Sequence, residues 1–479
     1  MKTDFSGPAN ACVEAEYLAD GSVLLDHPAA LPQTDQTIVG RLAHWADRTP
    51  DAPWLSQGER HICYAAAHDA RRLFSRKLLA LRFPSERPLV VILADNGIDH
   101  ALAMLAASAI GMTAAIISPS YASAAAEPWS KFRTAIDQLQ ADVILADDVE
   151  GVSRALGAIG RSARVLPLTD GAWAEEIPAV DEAELARAEA AVGPDSVAKL
   201  LFTSGSTGHP KAVINTQRMM VSNMEALTIL WPFLSERPPV MVDWLPWNHT
   251  FGGNCCFNIA LWFGGHMHID QGRPVPALIG RSIAAIKRHR PTLYFNVPIG
   301  YELLLAELEN DPIFAGEFFG QLDFLFNAGA PLPDVLRGRL ERCAARSGVG
   351  PVRIVGGWGS TETAPFSTVL DMPTDEAANL GLPIPGTTIK LVPYDGRFEL
   401  RVKGPNVTPG YWGDAAATAE AFDEDGFYKI GDAGRFADAG NPANGIVFDG
   451  RVAENFKLLA GTFLNVGALR LARISAWGG

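Results

Sequence analysis

A run of hydroxyl and glycine residues that ends at a lysine stands directly after an apolar segment of the chain. The apolar segment, residues 197–202, is typical of a buried strand and is interrupted only by Lys199. Backbone N–H groups and hydroxyls of such a loop can bind phosphate oxygens, and glycine lets the backbone approach them closely. The ammonium of Lys211 would add positive charge for a phosphate tail, whereas a flexible turn without a ligand is the alternative. We therefore predict a phosphate loop made of Thr203, Ser204, Gly205, Ser206, Thr207, Gly208 and Lys211.

Two common nucleotide-binding motifs do not fit this chain. A P-loop requires lysine directly after its last glycine, whereas two residues separate Gly208 from Lys211 and Ala212 follows. Residues 357–362 begin like a dinucleotide-binding fingerprint but end in Glu362 instead of glycine. The phosphate loop is therefore of another type.

A second glycine-rich segment, residues 357–363, sets a carboxylate beside hydroxyls after a predicted strand. The carboxylate of Glu362 suits a Mg²⁺ ion that keeps several waters and bridges phosphates. The indole of Trp358 suits stacking on a purine. A surface turn with an isolated glutamate is the alternative. The predicted nucleotide and metal residues of this segment are Gly357, Trp358, Gly359, Ser360, Thr361 and Glu362.

Two further segments carry weaker signals. Asp432 follows Gly431, and a carboxylate held after a glycine turn can accept hydrogen bonds from both ribose hydroxyls, although Gly-Asp turns are common. His249 lies among aromatic residues and glycines in the segment 244–254. A histidine packed in the core is the alternative to a functional histidine there.

Together these segments resemble those of the adenylate-forming superfamily, which includes acyl-CoA synthetases, carrier-loading adenylation domains and luciferases. The resemblance extends from about residue 40 to about residue 470. Within the superfamily the chain is most similar to feruloyl-CoA synthetases. That narrower resemblance rests on the segments 247–254, 294–298 and 456–461.

The resemblance implies an ATP-dependent acyl-CoA synthetase that activates an aryl or cinnamic acid such as ferulate. The acid and ATP would give an acyl-adenylate and pyrophosphate, and coenzyme A would then displace AMP. The implied cofactors are ATP, Mg²⁺ and coenzyme A, and the implied catalytic residues are Lys211, His249 and Glu362. A carrier-loading adenylation domain and a non-catalytic protein that binds ATP and acid are the alternatives.

The resemblance also implies the surroundings of the nucleotide and of the acid. Asp432 would bind the ribose, and Arg451 would lie near it at a hinge between two lobes. His249 would border the substrate carboxylate. The residues implied on the second face of adenine are Gly329, Ala330 and Pro331. The residues implied around the acid are Trp247, His249, Phe251, Gly252, Asn254, Val297, Pro298, Ala328 and Gly329.

The chain departs from the superfamily after Arg451. Superfamily members carry a C-terminal lobe with a catalytic lysine, and residues 451–479 correspond to the hinge and the start of that lobe. We therefore expect the C-terminal lobe to be largely absent from this chain. The hinge residue is Ala453 or Glu454, and Lys457 does not replace the catalytic lysine.

Composition narrows the function classes. The chain has 479 residues, of which 48% are hydrophobic and 20% charged, and its formal net charge is −14. A negative charge without a basic block argues against a nucleic-acid partner. Five cysteines without paired spacing, and no signal-peptide pattern, indicate a reducing, cytoplasmic location. We expect no membrane insertion and small-molecule partners, namely an aryl carboxylic acid, ATP and coenzyme A, and a homodimer is one assembly that the sequence allows.

The elements that must position these residues alternate between helix and strand over residues 41–385. This alternation predicts an α/β fold, with parallel sheets covered by helices and with the ATP and acid sites at the carboxyl ends of the strands. The apolar segment 101–117 reads as a buried helix followed by a buried strand, because it is too short for a membrane span. Period-two alternation predicts a small antiparallel β-barrel at 386–450, and we expect residues 1–40 to lie irregularly on the surface.

Overall fold

The computed structural model of the protein describes residues 12–82, 88–175, 177–203, 210–457 and 463–465. Strands are β1 Glu14–Tyr17, β2 Val23–Asp26, β3 Pro53–Gln57, β4 Arg60–Cys63, β5 Leu89–Leu93, β6 Thr113–Ile116, β7 Val143–Ala146, β8 Arg164–Pro167, β9 Val197–Thr203, β10 Lys211–Thr216, β11 Val240–Asp243, β12 His266–Ile269, β13 Leu293–Asn296, β14 Phe324–Asn327, β15 Ile354–Gly359, β16 Phe366–Leu370, β17 Leu382–Pro383, β18 Thr388–Tyr394, β19 Arg397–Lys403, β20 Tyr428–Phe436, β21 Ile446–Arg451, β22 Asn455–Lys457 and β23 Phe463–Asn465.

Helices are α1 Ile38–Arg48, α2 Tyr64–Ala80, α3 Ile98–Ala109, α4 Ser130–Leu139, α5 Val149–Ala158, α6 Glu182–Ala190, α7 Gln217–Leu230, α8 Phe233–Glu236, α9 Phe257–Trp262, α10 Ile279–His289, α11 Pro298–Asn310, α12 Pro312–Gln321, α13 Asp334–Arg346 and α14 Ala415–Ala421. A π-helix, Phe251–Cys256, leads directly into α9.

Two large sheets are mainly parallel, as the alternation of helices and strands predicts. The nine-stranded sheet has the order β17-β16-β15-β14-β13-β11-β12-β3-β4, and its strands from β15 to β3 run parallel. The six-stranded sheet has the order β10-β9-β6-β5-β7-β8 and is parallel except at the β9–β10 pair. The α/β fold class predicted from the sequence is confirmed.

The apolar segment 101–117 lies in the interior. It forms most of α3, whose residues in this segment are buried, and then β6, which is buried along its whole length. None of the helices in the described part of the chain combines the length and the apolar character that a membrane crossing requires.

Local signals explain where the helices around the site begin. The hydroxyl of Thr216 accepts a hydrogen bond from the backbone N–H of Met219 at 3.3 Å, so Thr216 caps α7. Pro298 occupies the first turn of α11, where its missing N–H has no helical partner to lose. Helix α7 starts directly after β10, and α11 starts one residue after β13, so both connections are short.

The third sheet is antiparallel and has the order β1-β2-β18-β19-β20-β21. In the described residues its end strands, β1 and β21, do not pair with each other, so this region is an open sheet instead of the predicted barrel. Residues 14–26, expected to be irregular, supply two of its strands. The reason is packing, because the buried side chains of Val23 and Leu25 complete the core formed by Ile389 and Leu400.

Candidate active site

The predicted phosphate loop joins two paired strands. The strand β9 ends at Thr203 and β10 begins at Lys211, and these two residues are antiparallel partners. The pairing brings both ends of the loop together at the edge of the six-stranded sheet. The remaining predicted phosphate ligands lie outside the described residues: Ser204, Gly205, Ser206, Thr207 and Gly208.

Tyr411 lies between Lys211 and Glu362. The Nζ atom of Lys211 is 4.9 Å from the centroid of the Tyr411 ring, a cation–π distance. The Tyr411 hydroxyl donates a 3.0 Å hydrogen bond to Oε1 of Glu362. Burial, reinforced by the negative charge of Glu362, raises the pKa of Tyr411, so the phenol stays protonated and acts as the donor. The sequence alone did not point to Tyr411.

The backbone around Tyr411 explains this arrangement. Trp412 N–H donates to Ala212 C=O at 2.8 Å, and Ile214 N–H donates to Gly410 C=O at 3.1 Å. The segment 410–412 therefore runs along β10 and carries Tyr411 to the start of that strand.

Glu362 is held rigidly although it lies in a short turn. Its carboxylate is buried, and its backbone N–H donates to the Ser360 hydroxyl at 3.2 Å. The Ser360 N–H in turn donates to the Thr363 hydroxyl at 2.9 Å, and Thr408 N–H donates to the Glu362 carbonyl at 2.8 Å. Burial and the nearby Glu362 charge also raise the pKa of Tyr428.

The surroundings of Glu362 bear on the predicted metal site. Within the described ranges there is no group of three or more histidine, cysteine or acidic side chains placed to hold a metal ion. A single carboxylate fits Mg²⁺ that takes its remaining ligands from phosphates and waters, since Mg²⁺ dehydrates reluctantly. Glu362 therefore fits a shared metal site and not an all-protein one.

Asp432 is the centre of a second polar cluster. Nε1 of Trp358 donates to Oδ2 of Asp432 at 2.8 Å, and Arg451 donates to Oδ1 at 2.7 Å. Arg451 also donates to the Ile430 carbonyl at 3.0 Å. Trp358 is buried against the core of the antiparallel sheet, so it positions the carboxylate of Asp432.

One cavity of about 450 Å³ lies between the nine-stranded sheet and the antiparallel sheet. It brings together residues predicted at separate points of the chain: Phe251, Ala328, Gly329, Ala330, Pro331, Gly357, Trp358, Gly359, Asp432 and Arg451. Thr250 and Asn327 also line it and were not predicted. Its size and mixed lining are those of a small-molecule site.

Asn327 lines this cavity and has a side-chain oxygen whose hydrogen-bonding capacity is not used within the described structure. Its amide nitrogen donates to the Ala330 carbonyl at 2.9 Å, whereas its buried Oδ1 has no hydrogen-bond partner in the described structure. A buried acceptor without a partner fits a ligand that brings a donor, such as the exocyclic amine of adenine. The sequence signal was its position at the end of β14, directly before the predicted loop.

Glycine is required where the backbone forms the cavity wall. Gly359 has φ +156°, and an added Cβ would lie 1.9 Å from the Pro365 carbonyl oxygen. A Cβ on Gly357 would lie 2.8 Å from the rings of Phe326 and Phe366. Side chains at these two positions would displace the wall.

The predicted acid-binding residues separate into three groups. Phe251, Ala328 and Gly329 line the cavity. Trp247, Gly252 and Asn254 are buried and do not line it, and Trp247 packs against Phe257 and His100 with ring centroids 5.0 and 5.3 Å away. His249, Val297 and Pro298 are not among the described residues that line the cavity. Val297 lies next to it, since a Cβ added at Gly329 would be 3.3 Å from Cγ1 of Val297.

The His249 residue is exposed at the surface, and partial desolvation of its imidazole by the surrounding protein lowers its pKa. At neutral pH the ring is therefore largely uncharged. Its predicted role beside the substrate carboxylate remains a prediction.

Comparisons with known proteins identify a family and several relatives of this chain. A family model described as AMP-binding enzyme matches residues 42–412. The chain is 31% identical over 255 residues to a feruloyl-CoA synthase of Amycolatopsis sp., covering 50% of this chain and 47% of the synthase. It is 27% identical over 454 residues to CymA, a probable nonribosomal peptide synthetase of Salinispora arenicola, covering 90% of this chain and 5% of CymA.

A solved structure shares the fold. O-succinylbenzoate coenzyme A synthetase (MenE) from Bacillus subtilis, in complex with ATP and magnesium ion, superposes with a TM-score of 0.72 at 18% identity. The match covers 90% of this chain and 83% of MenE. The chain spans about half the length of the feruloyl-CoA synthase and a small part of CymA. Because the family model matches most of the sequence, residues 42–412, this chain belongs to the AMP-binding enzyme family.

Proposed function

We propose that this protein is an AMP-forming acid–CoA ligase that activates a cinnamic-type aromatic acid such as ferulate with ATP. The observation that carries the proposal is the shared cavity, which places the predicted acid residues Phe251 and Ala328 in one space with Asp432 and Arg451. A nucleotide and an acid bound in one cavity can react directly, because they are held next to each other.

The proposed reaction has two balanced steps. A carboxylate oxygen of the acid attacks the α-phosphorus of ATP, and the bond to pyrophosphate breaks. The thiolate of coenzyme A then attacks the acyl carbon, and AMP leaves. Lys211 would stabilise negative charge on the phosphates, and Asn327 and Asp432 would orient the base and the ribose. Magnesium, held in part by Glu362, would neutralise phosphate charge.

The aromatic character of the cavity supports an aromatic acid. Phe251 is half-buried, and its ring centroid lies 6.2 Å from Phe295 and 6.0 Å from Phe326. This wall offers flat apolar surface to a ring. The similarity to a feruloyl-CoA synthase agrees with this choice of acid.

The test is a panel of acids with the full chain. Pyrophosphate release should be faster with ferulate and p-coumarate than with benzoate or a C16 fatty acid. Lys211→Ala should lower the rate about 10- to 100-fold at equal folding, because it removes a charge-assisted contact of about 1.5–3 kcal/mol. A preference for the fatty acid would overturn the substrate, and no acid-dependent pyrophosphate would overturn the ligase.

A carrier-loading adenylation domain is the second candidate, favoured by the similarity to CymA over most of this chain. Both candidates release pyrophosphate, so the acceptor separates them. Acid-dependent AMP release with free coenzyme A supports the ligase. AMP release only with a phosphopantetheine-bearing carrier protein supports the alternative.

A further inference from the structure

Two polar side chains face each other across the strands that carry the phosphate loop. Lys199 on β9 and Asn215 on β10 are antiparallel partners, so their side chains share one face of the sheet. Both are buried, Lys199 at 3% exposure and Asn215 at 0%. Their strands end and begin at the two ends of the phosphate loop, Thr203 and Lys211.

The two side chains form hydrogen bonds with two consecutive residues of the π-helix Phe251–Cys256, Gly253 and Asn254. The Nζ atom of Lys199 donates to the Gly253 carbonyl at 2.7 Å. The Asn254 amide donates to Oδ1 of Asn215 at 2.8 Å and also to the Thr250 hydroxyl at 2.9 Å. Thr250 lines the cavity, so the contacts lead from the phosphate-loop strands to the cavity wall.

A buried lysine in the middle of a strand lowers the stability of the fold unless its side chain makes a compensating contact. Lys199 stands in a strand whose other central residues are apolar and buried, and its ammonium lies 5.9 Å from the Phe257 ring. Burying a charged group is unfavourable, and an apolar side chain of similar length would fill the same space. The bond to Gly253 is therefore what this lysine contributes.

We propose that Lys199 and Asn215 are positioning residues that couple β9 and β10, the strands on either side of the predicted phosphate loop, to the predicted acid-binding segment 247–254. By holding Gly253 and Asn254 against β9 and β10, they fix the distance between the bound acid and the α-phosphate of ATP. The coupling rests on the proposed ligase function for its catalytic effect. Its mechanical part, the anchoring of the π-helix, does not depend on that function.

The kinetic test compares Lys199→Met, Lys199→Arg and Asn215→Leu in the full chain. Lys199→Met should raise the KM for ferulate and lower kcat, each by about tenfold, with the KM for ATP changed less than about twofold. Lys199→Arg keeps a donor and should restore most of the loss. Lys390→Met is the matched control, because it removes a buried lysine on β18 of the antiparallel sheet. The side chain of Lys390 is paired with Asp425.

The structural test needs no substrate. Hydrogen exchange of backbone amides over residues 249–256 should be faster in Lys199→Met and Asn215→Leu than in the parent protein, and unchanged in Lys390→Met. If no acid is activated but exchange rises, the ligase proposal fails and the anchoring stands. Unchanged exchange in both variants, or equal loss of ATP and acid affinity, overturns the coupling. Should Lys199→Met not fold, Asn215→Leu decides by the same measurements.

Discussion

A tyrosine and not a direct ion pair joins the two predicted phosphate-site residues. Lys211 contacts the face of Tyr411, and the hydroxyl of the same ring binds Glu362. The buried carboxylate of Glu362 therefore receives a hydrogen bond from within the protein. This arrangement avoids leaving a buried carboxylate without a partner, which would be strongly unfavourable.

At this scale we predict the effect of Glu362→Gln, which keeps the size of the side chain but removes its charge. The Mg²⁺ concentration for half-maximal pyrophosphate release should rise about tenfold, because a charged contact contributes about 1.5–3 kcal/mol. The KM for the acid should change little. Tyr411→Phe is the control, since it retains the ring beside Lys211 and should shift the Mg²⁺ requirement less. Superimposable Mg²⁺ titrations for Glu362→Gln and the parent would exclude Glu362 from the metal site.

The π-helix Phe251–Cys256 begins at the cavity, which Phe251 lines. It approaches the preceding segment closely, and an added Cβ on Gly252 would lie 2.3 Å from the Leu245 carbonyl oxygen. A Cβ on Gly253 would lie 2.2 Å from the Trp247 carbonyl oxygen. The backbone of Trp247 therefore lies against the π-helix, and its indole is buried.

We predict that Gly253→Ala displaces the π-helix, because the new methyl group has no space between the two backbones. Pyrophosphate release with ferulate should fall more than tenfold, whereas affinity for ATP should be retained, and overpacking should lower the free energy of unfolding by about 1–3 kcal/mol. Gly157→Ala on α5 is the matched control, since nothing lies within 4 Å of its added Cβ. That control should be neutral or slightly stabilising. Normal acid activation by Gly253→Ala would contradict the role given to the π-helix.

At the scale of the whole molecule, three histidines cluster where β12 of the nine-stranded sheet meets the end of helix α10, and the proposed reaction does not use them. The Ser56 hydroxyl on β3 is 2.9 Å from Nε2 of His266 and 2.9 Å from Nδ1 of His268. His289, at the end of α10, stacks on His268 with ring centroids 3.9 Å apart. Burial lowers the pKa of His266 and of His268 to about 4.

This cluster predicts loss of stability in mild acid. The unfolded chain binds protons on these rings near pH 6.5, whereas the folded protein does so only near pH 4. The neutral rings therefore stabilise the fold fully above about pH 6.5, and this contribution declines as the pH falls from 6.5 towards 4. The urea midpoint should be lower at pH 5 than at pH 7.5, and His268→Gln should reduce that difference. His61→Gln, an exposed histidine on β4 of the same sheet, should leave the difference as it is; a His268→Gln protein with the parent's pH dependence would refute the prediction.

Much of this protein was determined by local patterns in its sequence. Alternating apolar segments predicted the parallel sheets, and glycine-rich loops after strands predicted where ligand residues would gather. Asp432 was recognised from its glycine turn, Gly329 was recognised from the resemblance to the superfamily, and both line the cavity. These features can be read locally because strand, turn and helix preferences depend on residues close together in the chain.

Only the tertiary structure decided the rest. Tyr411 carries no motif of its own, and it reaches Glu362 because hydrogen bonds along β10 place it there. Trp247 was predicted to line the acid slot, but contacts with Phe257 and His100 bury it. The strand β2 joins the antiparallel sheet because it pairs with β18, a partner far along the chain that no local period could indicate. Packing and pairing between distant segments therefore set which side chains meet at the site, whereas the sequence pattern set which ones were available.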